Sequence, residues 1–66
     1  MVPALADTAA KDDNTENRLA AIQELGQLGN VAGDAVPTLT RLASNDSRAS
    51  IREAAEEALK KIKAGQ

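Results

Sequence analysis

Apolar residues recur along most of the chain at spacings of three and four, which is the period of an amphipathic helix. The residues between them are mainly Ala, Glu, Lys, Arg and Gln, all of which favour helices. The pattern therefore predicts four helices, a short and a long one in each half of the chain. The first ends near Lys11, the second runs from about Thr15 to Leu28, the third begins after Asp34, and the last runs from about Arg48 to Lys63.

Small polar residues and glycine separate these helices and are typical of helix ends. Gly29 and Asn30 indicate a helix stop, because both residues tolerate a positive φ. Pro3 and Pro37 are suited to the first turns of the first and third helices. Residues 64–66 are expected to fray. The predicted N-caps are Asn14 or Asp13 for the second helix, Asp34 for the third, and Asp46 or Ser47 for the last.

The two halves of the chain resemble each other at a fixed distance of 34 residues, with no gap. The matching pairs are Val2 with Val36, Pro3 with Pro37, Leu5 with Leu39, Ala9 with Ala43, Asp12 with Asp46, Arg18 with Arg52, Ala20 with Ala54, Ala21 with Ala55, Leu25 with Leu59 and Leu28 with Ile62. A fixed period over a whole small chain indicates a repeat architecture. We therefore expect one all-α domain over residues 1–66, an α-solenoid of two stacked helical hairpins with repeats at 1–33 and 34–66.

Differences between the halves predict which faces are covered. Leu19 and Ile22 in the second helix correspond to Glu53 and Glu56 in the fourth, whereas Ile51 and Ala58 in the fourth correspond to Asn17 and Glu24 in the second. This is the pattern expected when the apolar members meet between two stacked repeats and the polar members face outward as caps. The hypothesis is a self-contained two-repeat module, with a monomer favoured. The alternatives are a homo-oligomer subunit and a fragment of a longer solenoid.

Composition limits both stability and chemistry. A chain of 66 residues buries only about 60% of its unfolded surface. Half of its 28 apolar residues are alanine, so about ten Leu and Ile side chains form the working core. Cysteine, histidine and aromatic residues are absent from the sequence. Disulfides, thiolate or histidine catalysis and base-stacking platforms are therefore excluded. The net charge of −2 makes nucleic acid an unexpected partner.

Two motifs imitate ligand sites but lack essential parts. Asp12, Asn14 and Glu16 are spaced like the first ligands of a calcium loop, but the sixth place is Asn17 and the twelfth is Gln23. The glycines at 26, 29 and 33 neither follow a strand nor precede the Gly-Lys-Ser/Thr of a phosphate loop, so they are interpreted as helix-end and turn residues. Three serines, at 44, 47 and 50, have no histidine to activate them. We expect no catalysis, cofactor or metal.

The chain resembles HEAT repeats, in particular the short HEAT-like (PBS-lyase-type) versions. The residues that carry the resemblance are Pro3 and Pro37, the turn residues Asp12 and Asp46, Arg18 and Arg52 six positions later, and the Ala-Ala-x-x-x-Leu-x-x-Leu/Ile run of each long helix. The period also suits tetratricopeptide repeats, but their aromatic positions are missing. The resemblance implies that Asp12, Arg18, Asp46 and Arg52 form a ladder of hydrogen bonds between units. Asn17 departs from the family, which usually has an apolar residue before the arginine.

The resemblance further implies a protein-interaction or scaffold module whose partner binds along the paired second helices. The surface residues expected there are Arg18, Gln23, Gln27, Arg52, Glu57 and Lys61. Alternatives are a non-catalytic subunit or fragment of an enzyme assembly, as in bilin lyases, and a weak nucleic-acid-binding module. Residues 1–33 carry a net charge of −3 and residues 34–66 of +1, which could steer a partner. No membrane segment or signal peptide is evident, so a cytoplasmic location is expected.

Overall fold

The chain is helical almost throughout in the computed structural model, which describes residues 1–65. The elements are α1 (Val2–Lys11), α2 (Thr15–Leu28), a 3₁₀ segment (Gly29–Ala35), α3 (Val36–Asn45) and α4 (Ala49–Ala64). The predicted all-α class is confirmed. The described residues form three unbroken helical stretches, at 2–11, 15–45 and 49–64, because the 3₁₀ segment joins α2 to α3 without a gap. The prediction that the chain frays from Ala64 is wrong for that residue, which is the last of α4, and the fraying expected of Gln66 lies outside the described residues.

Two of the predicted helix ends are present. Asn14 has an extended backbone before α2, and its side-chain oxygen accepts a hydrogen bond from the backbone N–H of Asn17 at 3.0 Å. This bond satisfies one of the donors that the first turn of a helix leaves free. At the other end of α2, Gly29 has a φ of +64°. Side chains disfavour this conformation, so glycine is the residue suited to ending the helix.

Two predicted caps are wrong. Asp34 does not cap α3: it is exposed within the 3₁₀ segment, and the N-cap position is Ala35. Because the chain enters α3 already in a helical conformation, the segment has no extended residue to place an acceptor over the first amides. Neither Asp46 nor Ser47 occupies the cap position of α4, which is Arg48. Asp46 instead accepts the backbone N–H of Arg48 at 3.0 Å.

The helices pack in sequence order, α1 on α2 and α3 on α4, and the most extensive contact joins α2 to α4. Twelve apolar residues are buried, six of them alanine. The four largest fully buried side chains are Ile22, Leu25, Leu39 and Ile51. Of the ten Leu and Ile residues, Leu5, Leu19, Leu28 and Leu59 are only partly buried. Contacts between α2 and α4 therefore supply much of the burial on which the fold depends.

The residues that distinguish the two halves are distributed as predicted. Ile22, Ile51 and Ala58 are buried and Leu19 is partly buried. Their counterparts in the other half are all exposed. These are Asn17, Glu24, Glu53 and Glu56. The apolar members thus lie between the α1–α2 and α3–α4 pairs, and the polar members lie on the two outward faces.

Gly26 allows α2 and α4 to approach closely. A Cβ atom placed on Gly26 would lie 3.2 Å from the Cα of Ala58 and 3.3 Å from its Cβ. These distances are shorter than ordinary contacts between carbon atoms, and one of them is to rigid backbone. The glycine is therefore required by the spacing of the two helices, although glycine inside a helix lowers its intrinsic stability.

We expect Gly26→Val to destabilise the fold by about 1–3 kcal/mol, because the added methyl groups would force α2 away from α4. Urea unfolding followed by circular dichroism at 222 nm measures the change. Gly33→Val is the matched control, since a Cβ on Gly33 would meet no atom within 4 Å. Equal stability of the two variants would contradict the close approach.

Candidate functional site

A shallow groove of about 200 Å³ runs between α2 and α4. The residues that line it are Gln23, Gly26, Gln27, Ala54, Glu57, Ala58 and Lys61. Helical spacing explains the arrangement, because residues three and four apart lie on one face of a helix. Gly26, Ala54 and Ala58 form a floor of small side chains, and the four long polar side chains form the rim.

The rim residues are available to a partner. Gln23, Gln27, Glu57 and Lys61 are exposed. None of them takes part in the side-chain hydrogen bonds or ion pairs of the described residues. The rim therefore offers two amides, one carboxylate and one ammonium group, all on adjacent helices. Of the six surface residues predicted from the sequence, these are the four that the structure brings together.

Arg18 links the two helical pairs. Its Nη2 donates to Oδ1 of Asp46 at 2.5 Å, and its Nε donates to the backbone carbonyl of Ala9 at 2.8 Å. The two charged side chains are only 12% and 11% exposed, so water screens their attraction less than at an open surface. Arg18 thereby ties the end of α1 to the turn before α4.

The other two residues of the expected ladder form contacts within their own halves. Arg52 donates from Nη1 to the backbone carbonyl of Asp46 at 2.7 Å. Oδ1 of Asp12 accepts from the backbone N–H of Asn14 at 2.8 Å and from the side-chain amide of Asn17 at 3.4 Å. Arg18, Asp46 and Arg52 therefore converge on one turn, whereas Asp12 lies in the corresponding turn between α1 and α2.

Arg18 and Arg52 are not part of the exposed groove surface on which the sequence placed them. Both are only partly exposed, and neither lines the groove. Their guanidinium groups are directed to acceptors of the chain itself, at Ala9 and Asp46. A side chain held in this way is less free to contact a partner, so the candidate surface reduces to the four rim residues.

The turn holds the carboxyl of Asp46 in its charged form. Burial by itself would raise the pKa of this group. The hydrogen bond from Arg18, the backbone N–H of Arg48 and the positive charges of both arginines outweigh the effect of burial, and the pKa of Asp46 lies below its usual value. The folded state therefore favours the ionised carboxylate.

The apparent start of a calcium loop is a helix-capping turn. Asp12 uses one oxygen to hold Asn14 and Asn17, and Asn14 uses its oxygen to cap α2. Within residues 1–65, no group of three or more acidic, His or Cys residues is arranged to hold a metal ion. Among the same residues, no helix is both long enough and apolar enough to cross a membrane.

The family model for HEAT repeats matches residues 2–65, which is nearly the whole chain. The chain belongs to the HEAT-repeat family. HEAT repeats generally mediate protein–protein interaction or scaffolding. No curated protein and no solved structure matches the chain.

The floor of the groove was not predicted from the sequence. Gly26 was interpreted as a helix-end or turn residue, but it lies inside α2 and is buried against Ala58. One signal was available, since Gly26 corresponds to Lys60 in the other half of the chain. A glycine inside a predicted helix, at a position that need not be glycine in the repeat, suggests a close approach.

We expect Arg18→Met and Asp46→Asn each to lower the free energy of unfolding by about 1.5–3 kcal/mol, because each removes a charged hydrogen bond at a largely buried site. Asparagine keeps an acceptor for the backbone N–H of Arg48, so the second variant isolates the charge. In a double-mutant cycle, the combined loss should be smaller than the sum by about 0.5–3 kcal/mol. Arg41→Met, at an exposed residue, should change stability by less than about 0.5 kcal/mol. Additive losses would show that Arg18 and Asp46 act separately.

The low pKa of Asp46 predicts a loss of stability in acid. A carboxyl that binds protons less readily in the folded state stabilises that state above its unfolded pKa of about 3.9, and the benefit disappears as the pH falls through the folded value. We expect the stability difference between the native chain and Asp46→Asn to be greatest above about pH 5 and to narrow below about pH 4. Urea unfolding at pH 2–7 tests this. The difference between the native chain and Asp7→Asn, an exposed control, should change less.

Proposed function

We propose that the chain is a two-repeat HEAT module, with repeats at 1–33 and 34–66, that binds a protein partner along the α2–α4 groove and performs no catalysis. Stacking of two helical hairpins would place α2 and α4 side by side and create this groove. The observation that carries the proposal is the rim of four polar side chains without partners in the described chain, above a floor of small residues.

The chemistry of the groove suits a peptide chain. Each glutamine amide carries both donors and an acceptor, so Gln23 and Gln27 can bond the N–H and C=O groups of a partner. Glu57 and Lys61 add one charge of each sign, which favours a partner with complementary charges on its contacting segment. The small floor lets a partner side chain approach the helices closely. These properties support recognition, and they supply no activated nucleophile.

Capture of a partner from a cell extract, with the groove altered, tests the proposal. The probe is the immobilised chain, and captured proteins are identified by mass spectrometry. The groove variant combines Gln23→Ala, Gln27→Ala and Lys61→Glu, all of which change exposed side chains. We expect a stoichiometric partner to bind the native chain and to bind this variant at least tenfold more weakly, because each lost hot-spot contact contributes about 1 kcal/mol or more.

The matched control combines Thr40→Ala, Ser44→Ala and Arg41→Glu, which alter exposed residues of α3 away from the groove. It contains the same number of changes and one reversed charge. This variant should retain the partner. Equal capture by both variants would show that the partner binds outside the groove.

A further inference from the structure

The α1–α2 pair has an outward face with a shallow depression of about 240 Å³. This α1–α2 end face is lined by Leu5, Thr8, Asp12, Asn17, Ala20, Ala21 and Glu24. The equivalent residues of the second half, 34 positions later in the chain, are in the same order Leu39, Leu42, Asp46, Ile51, Ala54, Ala55 and Ala58. The depression is therefore the counterpart of a defined surface on the α3–α4 pair.

That counterpart surface is already covered. Leu39, Ile51 and Ala55 are fully buried, and Ala58 is 3% exposed. The largest contact between the pairs joins α2 to α4, so α2 provides much of this cover. Asp46, at the edge of the surface, receives Arg18. The α1–α2 end face thus has the form of a surface that accepts a helical pair, but it carries Asn17 and Glu24 where the covered surface has apolar residues.

The opposite end of the chain carries groups that match. The residues of α2 on the side that faces the α3–α4 pair include Arg18, Leu19, Ile22 and Gly26. Their equivalents 34 positions later are Arg52, Glu53, Glu56 and Lys60. We call these four residues the α3–α4 end face. All of them are at least partly exposed. Arg52 uses Nη1 within the chain, and Nε and Nη2 are in no described hydrogen bond.

Charge complementarity identifies a second copy of the chain as the occupant. A Cβ on Gly26 would lie within 3.3 Å of two atoms of Ala58. Lys60 is the equivalent of Gly26, and Glu24 is the equivalent of Ala58. If two copies stack as the two halves of one chain do, Lys60 of one copy would therefore lie over Glu24 of the next. Likewise, Arg52 of one copy would meet Asp12 of the next, as Arg18 meets Asp46. Both acidic residues of the α1–α2 end face would then face a basic residue.

We propose that the chain stacks head to tail on a second copy of itself, with the α3–α4 end face of one copy on the α1–α2 end face of the next. The remaining residues of the α1–α2 end face are uncharged, so Glu53 and Glu56 meet no third acid there. Covering these two carboxylates opposes association. The contact is therefore weak, reversible and governed by ion pairs. Because it is heterologous, it can add further copies, as an open chain or as a ring where the rotation between copies closes.

Sedimentation velocity on the 66-residue chain tests the proposal. We expect a weight-average mass above that of one chain as the concentration rises towards about 1 mM at about 20 mM NaCl. It should return to one chain at about 500 mM NaCl, where the Debye length is only a few ångströms. A mass of one chain under all these conditions would overturn the proposal.

Charge reversal identifies the faces. Glu24→Lys and Lys60→Glu change exposed residues, and each should weaken self-association about fivefold by replacing attraction with repulsion. An equimolar mixture of the two variants should recover it, because the new lysine at position 24 of one variant then faces the new glutamate at position 60 of the other.

Arg41→Glu is the matched control for Lys60→Glu, since it changes the net charge equally at an exposed residue outside both end faces. Arg41→Glu should associate about as strongly as the native chain, and more strongly than Lys60→Glu, which has the same net charge. Association that survives both reversals, or that the mixture fails to recover, would assign the contact to another surface.

Discussion

Close approach of α2 and α4 is the constraint on which the rest of the structure depends. Half of the buried apolar residues are alanine, and alanine contributes little area unless helices come close enough for backbones to share the contact. Gly26 against Ala58 provides that proximity. The same contact places the polar side chains of both helices along one groove, so the packing that stabilises the chain also forms its candidate binding surface.

Arg18 and Asp46 add direction to this packing. Apolar burial is non-directional, so apolar contacts alone specify the register of two helices less than a charged hydrogen bond does. A charged hydrogen bond between α2 and the turn before α4 is satisfied in one register. The bond from Arg18 to the carbonyl of Ala9 extends the same restraint to α1. The residue pair thus selects one arrangement of helices that the core alone would hold less firmly.

The limits of α2 could be predicted from the sequence because local chemistry determines them. Asn14 before α2 and Gly29 after it act within their own turns. The role of Asp34 could not be predicted in the same way, because it depends on the backbone conformation of the residues that lead into α3. These residues include Ala32 and Ala35, which are buried in the core. For the groove, the resemblance to HEAT repeats predicted the rim residues. The buried position of Gly26 could not be predicted in this way, because it depends on a contact with Ala58, in a helix distant along the chain.

Comparison of the two halves also shows why the ends differ from the middle. Between the pairs, Ile22, Ile51 and Ala58 exclude water, and the ion pair at Asp46 lies at the edge of that apolar contact. At the outward faces, polar residues, three of them glutamates, occupy the positions that are apolar between the pairs. A middle contact formed by apolar burial is permanent under folding conditions, whereas an end contact formed by charge responds to salt and concentration. One repeat geometry can therefore give both a stable core and a reversible surface, according to which residues occupy the equivalent positions.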